Sequence, residues 1–80
     1  MSDAELHTAG TPEASAARIG RALRSRRREL RVTQEELAEL AGVSTRFIGA
    51  LEGGKPTARL DHVAAVALAL GVDLGITTTW

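Results

Sequence analysis

The 80-residue sequence contains no cysteine and no tyrosine, and only one phenylalanine, one tryptophan and two prolines. Without cysteine, a disulfide and a thiolate zinc site are both excluded. His7 and His62 stand alone, so no metal-ligand spacing is present, and neither a metal nor another cofactor is expected. No apolar run approaches the roughly 20 residues needed to span a bilayer, and the polar, acidic start is not a signal peptide. A cytoplasmic protein is the expectation. A chain this short makes one small domain with a thin core and little room for a buried cleft. It carries no nucleophile–base pair and no paired acids. Glu35, Glu36 and Glu39 read as one solvated helix face, so an enzyme is not expected.

Net charge is also missing, with ten basic and ten acidic residues. The distribution is uneven, however. Arg18, Arg21, Arg24, Arg26, Arg27, Arg28 and Arg31 fall in one stretch whose single acid is Glu29, while Asp3, Glu5 and Glu13 lie in the leader. A neutral total can therefore conceal a basic face, which is what phosphates respond to.

What the chain does have is concentrated between Thr33 and Gly53, TQEELAELAGVSTRFIGALEG. Thr33 followed by Glu36 predicts a capping box. Leu37, Ala38 and Ala41 share one apolar face. Gly42 suits the left-handed residue that ends a helix, Val43 can plug the corner, and Ser44 is the N-cap of a second helix with Ile48 and Leu51 inward. Helix, short turn with Gly, helix is the helix-turn-helix layout, whose second helix enters the DNA major groove.

Residues 1–13 show no apolar periodicity and read as a leader. Residues 14–71 read as the helix-turn-helix domain and residues 72–80 as a tail. A first helix is predicted from about Ala14 to Leu30, with Ile19, Leu23 and Leu30 inward and most arginines on a solvated face. Arg27 lies between Leu23 and Leu30 on the inward side and needs a partner, for which Glu52 is the candidate. Arg31, in a connector where Gly is more usual, is expected to adopt a helix-end conformation at some cost. After a Gly-Gly-Lys-Pro loop, a fourth helix runs from Arg59 or Leu60 to Leu70, with Leu60, Val63, Ala64, Ala67 and Leu70 as its core stripe and Gly71 as its cap. Val66 and Leu68 point elsewhere and suggest a partner surface. Val72, Leu74 and Ile76 alternate with polar residues, as in a short β-strand that would pair with a second copy; a frayed tail is the alternative.

With these parts in place, the chain resembles the phage repressor/Cro (XRE-like) helix-turn-helix family over about Ile19 to Val72. The likeness rests on TQEELAELAGVS, on I-x-x-L-E-x-G-K at Ile48 to Lys55, and on the LALGV ending of the fourth helix. Within that family, GKPTARLDHVAAVALALGVDL followed by a strand looks most like HipB-type antitoxins. The resemblance implies an all-α domain of four to five helices with a C-terminal strand for dimerisation, binding double-stranded operator DNA as a homodimer. It supports Arg27–Glu52 as a structural pair, and it implies a HipA-like kinase toxin as a protein partner, with the antitoxin repressing its own operon and nucleoid-associated when bound.

For DNA contact, Gln34 opens the first motif helix, where free N–H groups favour a phosphate, and family members use this position for the backbone. Ser44 combines a cap with a phosphate or base-edge contact. Thr45, Arg46, Gly49 and Ala50 face outward. Arg46 can read guanine or clamp a phosphate, and Thr45 can touch a thymine methyl. Gly49 and Ala50 depart from relatives with polar residues there, permitting close approach rather than readout. Phe47 is expected to pack against a neighbouring element. Lys55 is the family's usual phosphate contact, with Thr57 and Arg59 beside it. Dimerisation is expected through Val66, Leu68, Val72, Leu74 and Ile76. Two other readings stand: a stand-alone XRE-like regulator without a toxin, and an interaction module that has lost DNA binding.

Overall fold

The computed structural model describes residues 10–78. Most of the leader read at residues 1–13 and the last two residues of the tail therefore lie outside the described residues. Among the described residues four helices follow one another: α1 (Pro12–Glu29), α2 (Gln34–Ala41), α3 (Thr45–Glu52) and α4 (Leu60–Ala69). α1 packs on α3, and α2 packs on both α3 and α4.

Local chemistry accounts for each start. The Thr11 hydroxyl accepts a hydrogen bond from the Ala14 N–H at 3.1 Å, and Pro12 occupies the first turn, where its missing N–H costs nothing. α1 thus begins two residues before the position its periodicity suggests. At α2 both halves of the capping box form, Glu36 N–H to the Thr33 hydroxyl and Thr33 N–H to Glu36 Oε1, each at 3.0 Å. At α3 the Ser44 hydroxyl accepts from the Phe47 N–H at 3.0 Å.

All four helices end in one type of turn. A left-handed residue closes each helix, and the N–H of the residue after it returns to a carbonyl five positions earlier: Val32 to Arg27, Val43 to Ala38, Lys55 to Ala50 and Val72 to Ala67. Three of the left-handed residues are Gly42, Gly54 and Gly71, with φ of 72°, 87° and 71°. The fourth is Arg31 at φ 57°, the only non-glycine with positive φ among the described residues. A side chain there meets a steric penalty of about 1–2 kcal/mol.

The core is assembled from one or more residues of every helix. Leu23 comes from α1, Leu37 and Ala38 from α2, Ile48 and Leu51 from α3, and Val63, Val66 and Ala67 from α4, with Leu70 just after it. Leu37 and Ile48 are fully buried, each contributing roughly 1.5–3 kcal/mol by leaving water. Val43 and Phe47 pack against this cluster from the side. Gly20 is buried where α1 crosses the end of α3: a Cβ there would overlap the Leu51 carbonyl oxygen and press on that of Glu52 at 3.0 Å. The two backbones touch, which needs glycine.

Three inward assignments are corrected. Ile19 and Leu30 are only partly covered, at the margins of the α1–core contact, and Leu60, the first residue of α4, is exposed. Val66, assigned to a partner surface, is buried in the chain's own core. α4 is apolar on nearly every face, so its stripe could not be read from periodicity alone. Residues 72–78 form no strand. A ladder needs a second strand, and no strand is present among the described residues to supply one. Val72 instead packs against the core, and Val72 and Leu74 border a groove of about 170 Å³ beside Ile19, Ala22 and Leu23 of α1.

Candidate nucleic-acid interface

Glu52, the last residue of α3, is where three parts of the chain converge. Arg27 of α1 donates to it through Nε at 2.6 Å to Oε2 and through Nη2 at 3.0 Å to Oε1. The third guanidinium arm, Nη1, donates to the Val32 carbonyl in the connector at 2.9 Å. Gln34 Nε2 donates to Glu52 Oε1 at 3.1 Å, bringing in the start of α2. The Glu52 side chain is only 5% exposed and that of Arg27 12%, so water screens the pair poorly. Burial pushes the Glu52 carboxyl up, but hydrogen bonds from Arg27 and Gln34 and the charges of Arg27 and Arg24 outweigh it and hold the group below the ordinary carboxylate value. The hydrogen bond to Glu52 raises Arg27 in turn. α3 is thereby fixed to α1 and α2 by its C-terminal residue, while Ile48 and Leu51 fix its inner side.

The outer side of α3 is left open. Thr45, Arg46 and Gly49 are exposed, Ala50 is half-buried, and no atom lies within 4 Å of where a Gly49 Cβ would stand. Two depressions flank this helix. One, of about 530 Å³, lies between α1, α2 and α3 and is bordered by Arg24, Arg28, Gln34, Glu35 and Gly49. The other, of about 290 Å³, lies between α3 and the α3–α4 loop and is bordered by Ser44, Arg46, Ala50, Lys55, Thr57 and Arg59. The candidate residues thus divide between two sides of one helix, Gln34 and Gly49 on the first and the rest on the second, with Thr45 at the exposed start of the helix.

Several side chains are already engaged. Gln34 spends one amide N–H on Glu52. Ser44 Oγ caps α3. Arg59 forms a two-armed pair with Asp61 at 2.6 and 3.1 Å, which holds the Asp61 carboxyl low and raises Arg59. Phe47 meets His62 of α4 edge-to-face, with ring centres 5.4 Å apart, so its ring faces the domain rather than solvent. Among the described residues no group of His, Asp or Glu is placed to hold a metal. Likewise, no helix there is long and apolar enough to cross a membrane.

Three arginines have places that their local sequence does not signal plainly. Arg26 Nε donates to the Leu70 carbonyl at 3.0 Å, tying α1 to the end of α4. Arg24 and Arg28 border the first depression, although the arginine run reads as a largely solvated face. The one signal available is their spacing: four residues apart and flanking Arg27, they lie along one side of α1.

A helix-turn-helix family model matches residues 23–76. A protein of Sinorhizobium fredii (strain NBRC 101917 / NGR234) described as an uncharacterized HTH-type transcriptional regulator, y4mF, is 47% identical over 60 residues, covering 75% of this chain and 79% of its own length. The chain belongs to the XRE-like helix-turn-helix family. It is with that family a DNA-binding regulator of transcription rather than an enzyme.

Proposed function

We propose that the chain is a repressor that binds double-stranded operator DNA as a homodimer, each copy laying α3 in the major groove. The observation that carries this reading is the asymmetry of α3, buried through Ile48 and Leu51 and open along Thr45, Arg46 and Gly49. A helix held on one side and at its end by a buried ion pair can present its other side to base edges without reorganising.

In this reading Arg46 donates two hydrogen bonds to a guanine edge and Thr45 meets a thymine methyl. Gly49 and Ala50 let the helix approach the groove floor. Lys55 and Thr57 hold phosphates on one side of the groove, and the free N–H groups at the start of α3, next to Ser44, face the same side. Gln34 and the start of α2 hold a phosphate on the other side, using the amide N–H that Glu52 does not take. The second copy is brought in through Leu68, Val72, Leu74 and Ile76. Leu68 and Ile76, at 72% and 99% exposed, are apolar side chains left open to solvent. A HipA-like kinase toxin is proposed as the protein partner on the likeness of the segment from Gly54 to Leu74 to HipB-type antitoxins; a stand-alone regulator is the other reading. A gel shift with the DNA upstream of its own gene tests the function. A shift at low salt supports DNA binding, and its absence favours an interaction module. Co-purification with the product of an adjacent kinase-like reading frame separates antitoxin from stand-alone regulator.

A further inference from the structure

We propose that Arg24 and Arg28 of α1 form a second phosphate clamp, gripping the DNA strand on the α1–α2 side of the groove while Lys55 and Thr57 grip the other. The inference rests on the reading of α3 as the groove helix. Three observations carry it. Arg24 and Arg28 are exposed side chains four residues apart, one helical turn, and both border the depression that contains Gln34 and the open Gly49. Neither makes a hydrogen bond or ion pair among the described residues, whereas Arg26, Arg27 and Arg59 are all committed to partners. Finally, their position is fixed, because Arg27 between them is locked onto Glu52 at the end of α3. The stretch of α1 that carries both side chains is therefore held at a set distance from the groove helix, on the side of the start of α2.

The chemistry favours a phosphodiester over other anions in this place. The depression is broad and open, so it does not enclose a small free anion. A polyanionic rod crossing it meets both arginines at once and is aligned by α3 at the same time. The clamp adds affinity and register without sequence preference.

The test compares R24Q/R28Q with R18Q/R21Q, which removes the same charge from the same helix but not from the depression. Both variants are checked for folding by thermal melting. Binding to the upstream DNA is measured across a salt series, alongside a scrambled duplex. The clamp predicts that R24Q/R28Q binds both duplexes more weakly by the same factor. It also predicts a shallower dependence of log affinity on log salt, by about 0.9 for each phosphate that is no longer neutralised. R18Q/R21Q should keep the parent's slope. Equal slopes for the parent and R24Q/R28Q would overturn the clamp while leaving DNA binding intact. If the parent itself shifts no DNA, the reading of α3 fails first, and the clamp with it.

Discussion

Arg27 and Glu52 lie 25 residues apart in the chain and meet through two hydrogen bonds of 2.6 and 3.0 Å, with Gln34 bonded to the same carboxylate. One glutamate therefore joins the first helix, the start of the helix-turn-helix and the end of the groove helix. Removing one partner of a fully buried pair strands the other charge at a cost of about 3–5 kcal/mol. Arg27 and Glu52 are half-buried, so the low end of that range is the upper limit here. Glu52→Gln should lower stability by less than that limit, because the amide oxygen still accepts from Arg27. Replacing both residues, Arg27→Met with Glu52→Leu, should recover much of the loss. Denaturant unfolding of the three proteins measures this, and a double variant no better than Glu52→Gln would refute it.

The same pair sets a pH response. The folded Glu52 carboxyl lies below its ordinary value of 4.5, so its contribution is complete above that value and is lost as pH falls through the lower folded one. Stability of the parent should drop across this acid window, and Glu52→Gln should show a smaller drop. Melting temperature against pH from neutrality down to about 3 gives the comparison; parallel curves for the two proteins would contradict it.

Gly20 and Gly49 should respond in opposite ways to the same change. A methyl at Gly20 collides with the backbone of Leu51, and α1 must move off α3. The gain of roughly 1 kcal/mol in helix propensity cannot offset that displacement, so Gly20→Ala should lower the melting temperature sharply. At Gly49 a methyl meets nothing, and Gly49→Ala should raise stability by up to about 1 kcal/mol. If α3 approaches the groove floor there, the same variant should bind DNA less well. A variant that is stabilised and binds as tightly as the parent would show that Gly49 does not face the groove closely.

Arg31 occupies the left-handed position that glycine fills in the other three helix-ending turns. Arg31→Gly should relieve the steric cost, partly offset by the freer unfolded chain, for a net gain of up to about 1 kcal/mol. Gly42→Ala, the converse change at φ 72°, should lose a similar amount. Unfolding midpoints of the two variants test this; a destabilised Arg31→Gly would mean that its side chain supports the fold.

Helix starts and ends are legible in the sequence at Thr33, Ser44, Gly42 and Gly71 because capping is chemistry between near neighbours. The inward position of Arg27 is legible from its place between Leu23 and Leu30. Val66 is easily misplaced because α4 is apolar on nearly every side, leaving no polar face to orient it. Gly20 and Arg26 are silent because each acts on a backbone distant in sequence, the end of α3 and the end of α4, and no local spacing encodes such a contact. The strand expected after Val72 depends on a ladder partner, which local sequence does not supply.

Protection mapping of the upstream DNA, with the parent and with Arg46→Ala at two salt concentrations, tests the central claim that α3 reads the major groove. The account predicts two protected half-sites with centres about 34 Å apart, steep weakening between low and high salt, and loss of the guanine preference in Arg46→Ala. A lone half-site would contradict the dimer. No protection even at low salt, by a protein that melts as a folded domain, would contradict the reading of α3 itself.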